Sequence, residues 1–206
     1  MTTAKGYQLA EYILWLDNFR ITKRKRPEPA YQHMGALIVD SVLQAGLNYR
    51  TVVWPRVERV LKTYPQACTT STFHTVICKN GEDKVMQWRH PEKPRRMIAL
   101  IAVLMTCQIE TVDELQDWLL LEESSQLLIE IKGIGNKTVD YIRNLAGLST
   151  VAVDRHIRHF VIDAGITCSG YDDYQDTVKS AAKLLSVSAY DLDKAIWEFY
   201  SCKIAA

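Results

Sequence analysis

Lys137 and Asp154 are residues of types that can do covalent chemistry together where the fold brings them to one cleft. They lie within the segment Leu127 to Phe160, LLIEIKGIGNKTVDYIRNLAGLSTVAVDRHIRHF. A lysine amine is a nucleophile only when neutral, so it needs desolvation or cationic neighbours to lower its pKa. Lys132, Arg155 and Arg158 can contribute that charge. A carboxylate beside it can take its proton and stabilise positive charge that develops on a reacting centre. Just ahead of Lys137, Gly133-Ile134-Gly135 lets the backbone turn sharply and leaves no side chain between its N–H groups and a ligand. A helix from Asn136 adds unpaired amides and a positive dipole end, an anion site suited to a phosphodiester. Plainer roles stay open at each position. The glycine turn also suits a simple helix–helix connection, Lys137 a phosphate contact, and Asp154 a helix N-cap, which is compatible with a chemical role. His156 and His159 fit a helix surface or a backbone phosphate.

The elements that must hold these residues are helices. Met34, Leu37, Ile38, Val42 and Ala45 recur at intervals of three and four, as do Met97, Leu100, Ile101 and Leu104. Thr111 and Glu114 have capping-box spacing ahead of Leu115, Trp118 and Leu119. Further stripes run through Val139 and Ile142, through Ile157, Phe160 and Val161, and through Leu192, Ala195, Ile196 and Phe199. Nine or ten helices fit, so the predicted class is all-α. The best strand candidate is Thr72–Lys79, and Asn80–Pro94 reads as the longest polar connection. A helix over Asn136–Ala146 runs about 15 Å from the turn at roughly 1.5 Å per residue. Gly147–Val153, at about 3.3 Å per residue, can span the return and face Asp154 toward Lys137.

Composition bounds the reading. The 206 residues are 48% apolar and 24% charged, which argues against disorder and predicts a buried core. No apolar run approaches the roughly 18–20 residues of a membrane span, and the start lacks a signal-peptide layout. The five cysteines form no CxxC pair, so neither a metal site nor a disulfide framework is expected. These features predict a soluble intracellular protein with no membrane partner. The net charge of +1 is an average over segregated segments. Arg20–Arg26 holds five bases and no acid, Gln108–Glu130 seven acids and no Lys or Arg, and Lys132–His159 five bases against two acids. A local basic surface fits within a neutral chain. The run at 20–26 suits phosphate contacts, a solvated surface or a localisation signal equally.

The segment around the two glycines resembles the helix-hairpin-helix plus Gly/Pro–Asp module of the DNA glycosylase superfamily that includes endonuclease III and the 8-oxoguanine glycosylases. That family pairs a hairpin of the form L-P-G-(V/I)-G-x-K-(T/V)-A with a (V/A)-D-x-H motif about 17–19 residues beyond its lysine. Ile131 to Val139 (IKGIGNKTV) and Val153-Asp154-Arg155-His156 stand at those positions. More loosely, Ser41-Val42-Leu43-Gln44-Ala45 resembles the family's serine–x–x–glutamine–alanine helix end, and the likeness extends over about Tyr31–Ala164. Lys132 replaces the hairpin's usual proline, and Val139 its alanine. The four-cysteine loop of endonuclease III is missing, since only Cys202 lies beyond position 168, which favours a cluster-free branch without cofactor.

The resemblance implies a two-lobed all-α glycosylase, with residues 31–142 as a bundle carrying the hairpin, residues 1–30 plus 143–206 as the second lobe, and a catalytic cleft between. It implies base excision from damaged double-stranded DNA by a monomer in the cytoplasm and nucleoid, or in a nucleus, with an oxidised base as the expected substrate. Lys137 is then the nucleophile that forms a Schiff base and nicks the strand by β-elimination, and Asp154 its acid. Gly133, Ile134, Gly135, Lys132, Arg155 and His156 are implied DNA contacts. Gln44 matches a glutamine that inserts near the vacated base, or is a solvated residue at a helix end. A flipped base needs an aromatic or apolar pocket. Trp197 is the first of five tryptophans to consider, each at helical spacing that more often marks a core anchor. A monofunctional or mismatch-directed glycosylase and a non-catalytic helix-hairpin-helix DNA-binding module are the alternatives.

Overall fold

The computed structural model describes residues 2–24 and 28–203. Lys25 and Arg26 of the basic run lie outside the described residues, as does Pro27. The fold is all-α: twelve α-helices and one π-helical turn, with no strand among the described residues. The chain divides into two compact units, residues 28–148 and residues 1–27 with 149–206.

The 28–148 unit is built around α2 (Met34–Leu43), every residue of which is buried. A helix buried on all sides must be wrapped by others. It is covered by α3 (Trp54–Thr63), α4 (Thr70–Asn80), α6 (Glu92–Thr106) and α9 (Asn136–Leu145). His33 starts it, its Nδ1 accepting from the Ala36 amide at 3.0 Å. The π-helical turn Tyr49–Val53, α5 (Glu82–Met86), α7 (Val112–Trp118) and α8 (Glu122–Ile129) complete the unit. The expected capping box at Thr111 and Glu114 opens α7, each side chain taking the other's backbone amide.

Two local expectations are corrected. Thr72–Lys79 is not a strand; it lies inside α4, whose first turn is closed by a reciprocal Thr69–Thr72 box and whose Phe73, Val76 and Ile77 enter the core. The stretch Asn80–Pro94 is not one long connection, because α5 occupies its middle and α6 begins at Glu92. With these, the helix number exceeds the nine or ten that periodicity suggests.

The other unit holds α1 (Ala4–Trp15), α10 (Arg155–Asp163), α11 (Tyr171–Leu184) and α12 (Ala189–Lys203). Helix α1 lies so close to α11 that a Cβ on Gly6 would come within 2.0 Å of Ser180 Oγ. Phe160 anchors the core, with the ring of Phe19 at 5.1 Å and that of Phe199 at 6.0 Å. The described part of the basic run is bound into this unit. Lys23 Nζ donates to the Ser186 carbonyl at 3.1 Å, and Arg24 lies 3.3 Å from the Tyr190 ring centre and pairs with Asp191. No helix among the described residues is long and apolar enough to cross a membrane.

Candidate functional site

The hairpin is set by two buried isoleucines and one strained glycine. Ile131 and Ile134 are buried, and the Ile134 amide donates to the Ile131 carbonyl at 2.9 Å. Between them Gly133 takes φ +88°, a conformation that costs an L residue roughly 1–2 kcal/mol. A Cβ there would also meet the Arg96 guanidinium at 1.8 Å, while Arg96 Nε donates to the Lys132 carbonyl at 3.1 Å. Ile134 is therefore a core anchor, and its amide is already used. The outward groups of the turn are Gly133, Gly135 and the exposed Lys132. Gly135 precedes α9 and brings no side-chain cap, so no side-chain oxygen of the N-cap residue closes the first turn.

Lys137 stands second in α9 and is half-buried. Its Nζ donates to Gln44 Oε1 at 2.7 Å. Gln44 caps the end of α2 and is only 9% exposed, so it is not a solvated residue; its Nε2 is buried without a hydrogen-bond partner. A buried amide donor left unpaired costs about 1–3 kcal/mol, and a ligand acceptor placed there would recover it. The structure thus joins two residues 93 positions apart that sequence reasoning singled out separately.

One helical turn deeper, α2 and α9 meet again through a buried carboxylate. Asp40 accepts from Tyr31 at 2.8 Å, Tyr49 at 3.2 Å and Tyr141 at 2.9 Å. Burial pushes its carboxyl up to about 6, with the three phenols opposing part of that rise. The same burial, with the Asp40 charge, holds the Tyr31 and Tyr141 phenols above their ordinary range.

Lys93 was missed because it falls in the stretch that reads as loop, and Arg96 lies just beyond that stretch. In α6 they stand three residues apart, hence on one face. Lys93 Nζ donates to the carbonyls of Val42, Leu43 and Ala45 at 3.0, 3.2 and 3.0 Å. Burial, then the charges of Arg96 and Lys137, lower its amine to about 8. The basic cluster KPRR at 93–96 is the signal that could have drawn attention to it.

In the other unit Asp154 is the N-cap of α10, its Oδ1 accepting from the His156 and Ile157 amides at 2.8 and 3.1 Å. The run leading to it is pinned by side chains. Gln175 Nε2 donates to the Val151 carbonyl, Asp193 accepts from the Ala152 amide, and the Tyr171 hydroxyl accepts from the Val153 amide. Arg155 is exposed, whereas the His156 ring is buried and stacked on Tyr200 with centroids 5.7 Å apart. His156 is thus part of the unit's interior and not of the helix surface. Trp197 is half-buried in α12. Among the described residues no group of three or more His, Cys, Asp or Glu side chains could hold a metal ion.

This chain belongs to the family described as Domain of unknown function (DUF8548), whose model matches residues 89–201. That span runs from just before α6 to near the end of α12 and includes the hairpin, Lys137 and Asp154. No curated protein and no solved structure matches the chain.

Proposed function

We propose that the protein is a base-excision DNA glycosylase with associated abasic-site lyase activity, acting on an oxidised base in double-stranded DNA. The observation that carries the reading is the 2.7 Å bond from Lys137 Nζ to Gln44 Oε1. It puts a half-buried lysine amine at the first turn of an uncapped helix, beside a buried amide with a donor to spare. A nucleophile next to an anion-binding helix start and an unpaired donor suits a sugar flanked by phosphate and carrying an acceptor-bearing base. A two-lobed fold with a catalytic cleft belongs to this proposal.

The chemistry balances with groups of this chain and water. Lys137, as the free amine, attacks C1′ of the damaged nucleotide. The glycosidic bond breaks, and the base leaves with the electron pair. Asp154 offsets positive charge at C1′, takes a proton from the amine and passes it to the departing base. The sugar ring then opens as O4′ leaves C1′ and takes a proton from water, with an iminium left on Lys137. Loss of a C2′ proton then expels the 3′ phosphate and nicks the strand. Asp154 Oδ1 is occupied as an N-cap, and a carboxylate has a second oxygen for this task. No metal or cofactor takes part.

A panel of duplexes, each with one oxidised or deaminated base, tests the reading. Base release coupled to strand cleavage, both lost in Lys137→Ala, is the expected result. Base release undiminished in Lys137→Ala, with cleavage absent, moves the assignment to a monofunctional glycosylase in which Asp154 activates water. Salt-dependent DNA binding with no release from any duplex leaves a helix-hairpin-helix binding module.

A further inference from the structure

Lys93 takes no part in the proposed chemistry, yet it is built into the site. Three carbonyls converge on its Nζ, those of Val42, Leu43 and Ala45, and they flank Gln44 on both sides. An ammonium has three protons, and each of these meets one carbonyl. The last carbonyls of α2 have no partners within the helix, so the amine closes the helix end and fixes the backbone that carries Gln44. Gln44 Oε1 in turn takes a proton from Lys137 Nζ.

We propose that Lys93 is a positioning residue for Lys137: it clamps the carbonyl end of α2 so that Gln44 holds the amine, and it sets a second positive charge beside that amine. Two neighbouring cations each favour the other's neutral form. The groups around Lys93 are Gln44 and the helix carbonyls from α2, Lys137 from α9, Arg96 from its own helix, and the Trp88 ring at 5.9 Å. None of these is acidic. The charge of Lys137 is among the causes that lower the Lys93 amine, and the effect is reciprocal. The inference deepens the glycosylase reading, since the neutral amine is the nucleophile.

The test is an NMR titration of lysine ε-carbons on the full chain, with both residues assigned by substitution. In Lys93→Met the Lys137 midpoint should rise by about one pH unit, and Lys93→Arg should restore it to within about 0.3. In Lys137→Met, a milder change at a half-buried position, the Lys93 midpoint should rise in return. Midpoints that stay put in both Met variants overturn the inference, and if Lys93→Met fails to fold the Lys137→Met arm decides alone. Borohydride capture of abasic DNA across pH gives the functional readout, with the alkaline limb expected to shift the same way in Lys93→Met. A wild type that captures nothing defeats the glycosylase reading, while the titration still decides the role of Lys93.

Discussion

Helix α9 begins from Gly135, which offers its first amides no side chain, whereas α10 begins from Asp154, whose Oδ1 takes two of them. Both starts lie at residues proposed for the chemistry, and each is held in its own way. The uncapped start is compensated from outside: Ile131 and Ile134 are buried before it, and Tyr141, one turn beyond Lys137, is tied to Asp40. Arg143 adds a pair with Asp140 and a 2.8 Å bond to Ser125. The capped start is stabilised by the carboxylate proposed as the acid. At α9, then, the proposed chemistry and the stability reside in different residues. At α10 the proposal puts both on one.

That difference can be broken by substitution, and the largest effect is kinetic. Lys137→Ala and Asp154→Asn should each reduce strand cleavage by about 100-fold or more, as loss of a nucleophile or a positioned acid does. Asn is a good N-cap, so melting of Asp154→Asn should stay within about 0.5 kcal/mol of wild type. Full cleavage by Asp154→Asn would reduce that residue to its cap.

The next effect is the pH dependence of the α9 anchor. The Asp40 carboxyl is raised to about 6 in the fold and returns to its ordinary 3.8 on unfolding. The native state therefore holds the extra proton between those values, so stability falls as pH rises from about 4 to about 6 and is level above. The contribution is at most about 3 kcal/mol. Denaturant melts of wild type and Asp40→Asn should converge or diverge only across that window. A constant difference from pH 4 to 8 would show that Asp40 does not titrate as described.

A smaller effect is expected at the turn itself. Gly133→Ala should cost about 1–2 kcal/mol through its positive φ, while the flexible Arg96 side chain gives way. Asp154→Ala should cost about 1 kcal/mol more than Asp154→Asn in chemical melts, which isolates the cap from the acid. Equal melts for the two variants would remove the cap from the account of α10.

How much of this the sequence disclosed follows the range of each interaction. The all-α class, the α7 capping box and the glycine turn before α9 depend on neighbours three or four residues apart, and all three were legible. Helix α4 was not, because Thr72, Phe73, Thr75, Val76 and Ile77 favour strands by type. Packing of Phe73 in the core outweighed that preference. Lys93 finds its carbonyls 48 to 51 residues away, and Tyr141 finds Asp40 101 away. No periodicity reports such pairs. Gln44 lay between these cases: its type and helix-end position drew notice, but only the fold brought its amide to Lys137.

The most direct measurement is borohydride reduction of the protein with duplex DNA carrying one abasic site, followed by digestion and mass mapping of the crosslinked peptide. A single adduct on Lys137 is expected, absent from Lys137→Ala and retained in Lys93→Arg. An adduct mapped to Lys93 or to any other amine, or one that persists in Lys137→Ala, would contradict it.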